Sequence, residues 1–183
     1  MSRFRVITLG NIQLFLNLAL LFGLVQAKSS FKFTNIKCLE HDVSFSRFEI
    51  CRLKVVGRDV VSLNIKVRLY KSPVTNSTVN LAFYKKSNGF KPFLYNGTAD
   101  VCAFFANRQR YPIFKIIFDM FVRNSNLNHT CPYSDVLAVE ELVLNEGMFR
   151  YFPLSEAEYL FKAKVYAYND LKATLEIYFY RKD

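Results

Sequence analysis

The chain contains no tryptophan, two histidines and six glycines among 183 residues. Each shortage removes a class of chemistry. With so few glycines, a loop of adjacent backbone amides that cradles phosphate is hard to build. No such loop, no Gly-x-Ser-x-Gly elbow and no His-Glu-x-x-His pair occurs. His41 lies in a polar stretch, and His129 lies inside a glycosylation sequon. Cysteine pairs at metal-binding spacing are missing too, so no metal site and no cofactor is expected. The acids Glu140, Glu141, Glu156 and Glu158 could supply a glycosidase carboxylate pair. Exposed carboxylates on strands and turns are the plainer reading, and the chain is not expected to be an enzyme.

What is present begins with an export signal. Arg3 and Arg5 precede an apolar run from Leu14 to Val25, and Val25-Gln26-Ala27 has the small-residue pattern of a cleavage site. The run is shorter than the roughly 20 residues that span a bilayer, so a cleaved signal peptide over 1–27 is favoured over an uncleaved anchor. The mature chain is then 28–183, one domain, secreted and extracellular. No repeat, low-complexity tract or linker divides it.

Neither acid nor histidine precedes Lys28, so the mature part keeps 23 bases against 15 acids, a net charge of +8. That balance suits anionic partners such as glycosaminoglycans or acidic lipid head groups. Export makes nucleic acid an unsuitable partner. Cys38, Cys51, Cys102 and Cys131 make an even count in an exported chain and imply two disulfides. Three pairings are possible; Cys38–Cys51 with Cys102–Cys131 is favoured because each brackets a local excursion. Three sequons, at Asn76, Asn96 and Asn128, mark expected glycosylation sites on solvent-facing loops or strand ends.

Strand signals dominate the mature chain. Val61, Leu63, Ile65, Val67 and Leu69 alternate with Ser62, Asn64, Lys66 and Arg68, as a half-buried strand requires. Segments 31–37, 48–56 and 78–84 read as weaker strands, with Ser87-Asn88-Gly89 turning the last into 90–95. Segment 133–144 is ambiguous between strand and helix, and strand is preferred after Cys131-Pro132. At the C-terminus, two alternating sets, Tyr159 to Ala167 and Leu171 to Phe179, both fall on odd numbers. They share a face only if paired residues sum to an even number. A three-residue loop, Tyr168-Asn169-Asp170, with a left-handed residue at Asn169 or Asp170 is therefore predicted.

One segment breaks the pattern. Pro112 can open a helix, and Ile113 to Val122 is apolar except for Lys115 and Asp119. With Arg123 these two form a narrow polar stripe at spacing four. A helix apolar around most of its circumference must be wedged between sheets or cover an apolar space. Sixteen of the 19 phenylalanines are in the mature part. They suit either a solid core or a cavity lined by Phe and branched aliphatics. The candidate cavity residues are Phe114, Ile117, Phe118 and Phe121 from the helix, with Leu63, Ile65 and Val67 from the clearest strand. The expected fold is mainly β: a two-sheet antiparallel β-sandwich with one short apolar helix near 111–123.

Several stretches have a familiar order: 31–38 with Cys38, 48–54 with Cys51, Lys91-Pro92-Phe93-Leu94-Tyr95, Asp100-Val101-Cys102-Ala103-Phe104, and Ser125-Asn126-Leu127-Asn128-His129-Thr130-Cys131-Pro132-Tyr133. Together they resemble a large insect family of small secreted proteins of unknown function that includes the CheB chemosensory proteins. That family is similar to the lipid-recognition superfamily of the ganglioside activator protein. The resemblance implies an immunoglobulin-like, lipid-recognition sandwich holding a lipid or other hydrophobic ligand between its sheets, with a role in chemosensation or pheromone response; a monomer is expected. The helix would then be a flap or wall of the cavity. The alternative is an extracellular interaction protein with a solid core, whose basic surface binds a membrane receptor or an anionic glycan. The chain departs from the family's Pro-x-Gly-x-Tyr-like turn at Pro153 to Tyr159, which lacks the glycine and is two residues longer.

Overall fold

The computed structural model describes residues 30–182. The expected signal peptide, 1–27, lies outside them. Eight strands occur in chain order: β1 (Ser30–Glu40), β2 (Ser46–Gly57), β3 (Val60–Leu69), β4 (Ser77–Ser87), β5 (Gly89–Asp100), β6 (Val136–Val143), β7 (Ala157–Ala167) and β8 (Asp170–Lys182). They form two antiparallel sheets, one ordered β1-β8-β7-β4-β5 and the other β2-β3-β6. The protein is a β-sandwich of five strands against three. Between β5 and β6 run the helices α1 (Val101–Ala106) and α2 (Pro112–Asp119) with short 3-10 turns.

The unequal sheets determine where the helices go. Strands lie about 4.8 Å apart, so two unmatched strands leave roughly 10 Å of the wide sheet uncovered. That is about the diameter of a helix with its side chains. The 101–131 segment occupies this side. Its return arm pairs with the outer edge of β6: Asn126 donates its backbone N–H to Ala138 O, its side-chain oxygen accepts from Ala138 N at 2.8 Å, and its amide donates to Val136 O at 2.6 Å. On the opposite long edge β1 and β2 meet directly, joined by the Cys38–Cys51 disulfide. The second disulfide, Cys102–Cys131, closes the helical excursion on itself.

Two local expectations need correction. The β7–β8 turn has two residues, Tyr168 and Asn169, both left-handed at φ 54° and 67°, and Ala167 pairs with Asp170. This is the backbone pattern of a two-residue hairpin turn whose twist matches the strands. The even register still appears further along, with Val165 opposite Ala173 and Ala163 opposite Leu175. A β-bulge that leaves Lys172 unopposed corrects the parity in place of a longer loop. The apolar helix is also shorter than 113–122. It opens on Pro112 and ends at Asp119, with the Lys115–Asp119 pair on its surface at 2.6 Å. Beyond it, Asn124 donates its side-chain amide to Glu140 O at 3.1 Å, drawing the chain out to the β6 edge.

α1 was absent from the expected elements. Its start is capped by Asp100, whose Oδ1 accepts from Ala103 N at 2.7 Å. The turn ahead of β7, where the glycine is missing, is closed by the Tyr159 hydroxyl. That group accepts from Ser155 N at 3.1 Å and donates to Ser155 O at 2.8 Å. Tyr159 is fully buried and stacks on Phe179.

Candidate ligand cavity

The side chains between the sheets do not fill the interior. The main space, about 250 Å³, has three walls. Leu63, Ile65 and Leu142 belong to the small sheet; Leu81, Phe161, Ala163 and Ile177 belong to the large one. Phe114, Ile117, Phe118 and Phe121 come from α2 and the turn after it. A compartment of about 190 Å³ shares Ile65, Leu127, Tyr133 and Leu175 with the main cavity and extends to Val67, Phe45 and Lys172. A third, about 70 Å³, shares Leu63, Ile117 and Phe121 and extends to Phe33 and Phe149. The shared walls make the three a series from one end of the sandwich to the other.

Size and lining decide what such a space can hold. An apolar cavity of about 150 Å³ accommodates benzene and stays dry. Chemically, the main cavity offers almost nothing but hydrocarbon. The Ser77 hydroxyl donates to Tyr166 O at 3.1 Å. The Tyr133 hydroxyl donates to the carbonyls of Leu127 and His129 at 3.1 and 2.8 Å, and burial pushes its pKa up. With both polar groups engaged, the walls can hold an apolar chain by excluding water and can do little acid–base work.

Aromatic packing builds the helical wall. Phe104 of α1 is completely buried and meets Phe105, Phe114 and Phe118 edge-on, with ring centroids 5.0–5.5 Å apart. The Arg108 guanidinium lies over the Phe105 and Phe118 rings, at 4.9 and 5.3 Å, and donates to Asn128 Oδ1 at 2.7 Å. Arg108 thus ties the outgoing arm of the excursion to its return arm.

Six of the seven cavity candidates line the main space; Val67 faces the adjoining compartment instead. Sequence reading missed Phe104 and Phe105, although Asp100 before an apolar run is a helix-start signal. The four acids do not converge. Glu140 and Glu141 are exposed on β6, whereas Glu158, on β7 of the other sheet, is held by Lys86 at 2.6 Å, and Glu156 just before β7 by the Tyr180 hydroxyl. Among the described residues, no group of three or more His, Cys, Asp and Glu side chains is placed to hold a metal ion.

The sequon asparagines Asn76, Asn96 and Asn128 are all exposed. Asn96 and Asn128 accept hydrogen bonds through Oδ1, not through the nitrogen that carries a glycan. Two disulfides fit an oxidising compartment. No helix among the described residues is long and apolar enough to cross a membrane. No curated protein matches the chain. A family described as a protein of unknown function (DUF1091) matches residues 79–161, which run from β4 through β5, the helical excursion and β6 into β7.

Proposed function

We propose that this is a secreted glycoprotein that binds a lipid or other hydrophobic ligand in the cavity between its sheets, and that it acts by binding and not by catalysis. The observation that carries the reading is the apolar space of about 250 Å³ walled by α2. A solid interior would favour a purely outward-facing role; the apolar space between the sheets supports the binding reading instead. The resemblance to chemosensory proteins suggests that the ligand is a signal carried in an extracellular fluid. Glycans at Asn76, Asn96 and Asn128 would keep such a carrier soluble.

The test uses the mature glycoprotein and a fluorescent fatty-acid probe. The parent protein is expected to take up the probe and to release it to competing lipid. Ala163→Phe puts a ring into the main cavity from the large sheet and should abolish uptake while preserving the fold by circular dichroism. Probe uptake that survives in Ala163→Phe, or no uptake by the parent together with no lipid in native mass spectrometry, would overturn the reading.

A further inference from the structure

The tip of the β2–β3 hairpin is apolar where solvent should make it polar. Val55 is 75% exposed, Val56 48% and Val60 38%. They surround a two-residue turn, Arg58-Asp59, in which Asp59 is left-handed at φ 59°. These valines lie outside the buried core, and Thr would serve the exposed backbone equally well. Around them sit exposed Arg52, Lys54 and Arg58. The tip's one acid, Asp59, is already neutralised by Lys32 at 3.2 Å.

A second feature lies at the same end of the sandwich. β6 ends with Val143 opposite Ser62, close to the hairpin tip. The chain that follows presents Tyr151, 60% exposed, with the Arg150 guanidinium 4.6 Å from its ring. An amphipathic aromatic beside a cation is the pairing favoured at a membrane–water boundary.

We propose that this end of the molecule docks on an anionic lipid surface, with Val55, Val56 and Val60 entering the acyl boundary and Lys54, Arg52 and Arg58 meeting phosphate or carboxylate head groups. Charge selects the occupant. A second copy of the chain would bring the same cations together, whereas an anionic bilayer offers both countercharge and an apolar layer for the valines. The inference is independent of what the cavity holds.

Vesicle sedimentation of the mature glycoprotein tests it, using phosphatidylcholine with and without phosphatidylserine, at low and high salt. Binding is expected only with phosphatidylserine and should weaken with salt. The double variant Val55→Thr/Val56→Thr keeps β-branching at exposed positions and should bind at least about tenfold more weakly. Arg58→Gln should cost about fivefold. Tyr70→Thr, an equally exposed position at the opposite end of β3, should change nothing. Equal binding to neutral vesicles, no binding to either, or equal loss in the tip and Tyr70 variants would overturn the assignment. So would a valine variant that binds like the parent.

Discussion

The two long edges of the sandwich are closed by different forces. At the β1/β2 edge the sheets meet through a disulfide and polar ties: Cys38–Cys51, the Glu40 carboxylate accepting from Phe48 N at 2.7 Å, and Asp42 reaching Lys172 at 3.0 Å. At the β5/β6 edge they do not meet, and apolar helices fill the width that two unmatched strands leave open. Moving the first edge breaks links between the sheets themselves. Moving the second exposes aromatic surface but leaves the pairing within both sheets intact. We propose that a ligand entering between the sheets passes α2, where no strand pairing has to break.

The largest effect should come from removing the centre of the helical wall. Phe104→Ala deletes a fully buried ring that touches three other phenylalanines, and a loss of about 3–5 kcal/mol is expected in chemical denaturation. A loss below about 1 kcal/mol would mean that the wall collapses freely around the missing ring.

The disulfides sharpen the contrast next. Their sequence separations, 13 and 29, give similar chain-entropy values of about 3 to 4 kcal/mol. Stability should therefore fall comparably in Cys38→Ala/Cys51→Ala and in Cys102→Ala/Cys131→Ala. Ligand exchange should not. Only the second pair clips the arms of the excursion together, so only its removal should speed probe release in stopped-flow measurements. Equal release rates would place the entry route elsewhere.

The same asymmetry explains what could be read from sequence. Alternation from Val61 to Leu69, along β7 and from Ala173 to Phe179 reported the inner faces, because a strand with one wet face shows its period directly, whereas Leu171, ahead of the bulge and opposite Tyr166, is on the other face. Both local cysteine pairings follow from excursions of the chain visible without coordinates, and the structure contains both. Parity correctly required Val165 opposite Ala173, but it could not say whether a loop residue or a bulge at Lys172 supplies the shift, since either restores the face. The cavity itself left no periodic trace. Ile65 and Val67 belong to the same alternating set, yet only Ile65 faces the main space. That division depends on where α2 and the return arm end, and hence on the five-to-three mismatch of the sheets, which no local pattern encodes.

The smallest effect, and the one most specific to the closed edge, concerns acid. Hydrogen bonds from Ser44 and Lys172 hold the Asp42 pKa down to about 2, below its ordinary value of 3.8, and the Lys71 charge assists. The sign follows from linkage: a carboxylate whose pKa is lower folded than unfolded stabilises above the unfolded value and loses that contribution as pH falls from about 4 to about 2. In that window, Asp42 should release Lys172, whose ammonium lies 4.9 Å from the Phe45 ring beside the compartment of about 190 Å³. Backbone amides of Ser44 and Phe45, both bonded to Asp42, should exchange faster with solvent, and Asp42→Asn should remove the pH dependence. The amides of α2 should show no matching step, since Phe114, Ile117 and Phe118 are held by apolar packing. A simultaneous acid transition in α2 would show that the two edges open as one cooperative unit, and the distinction between a fixed edge and a movable wall would fail.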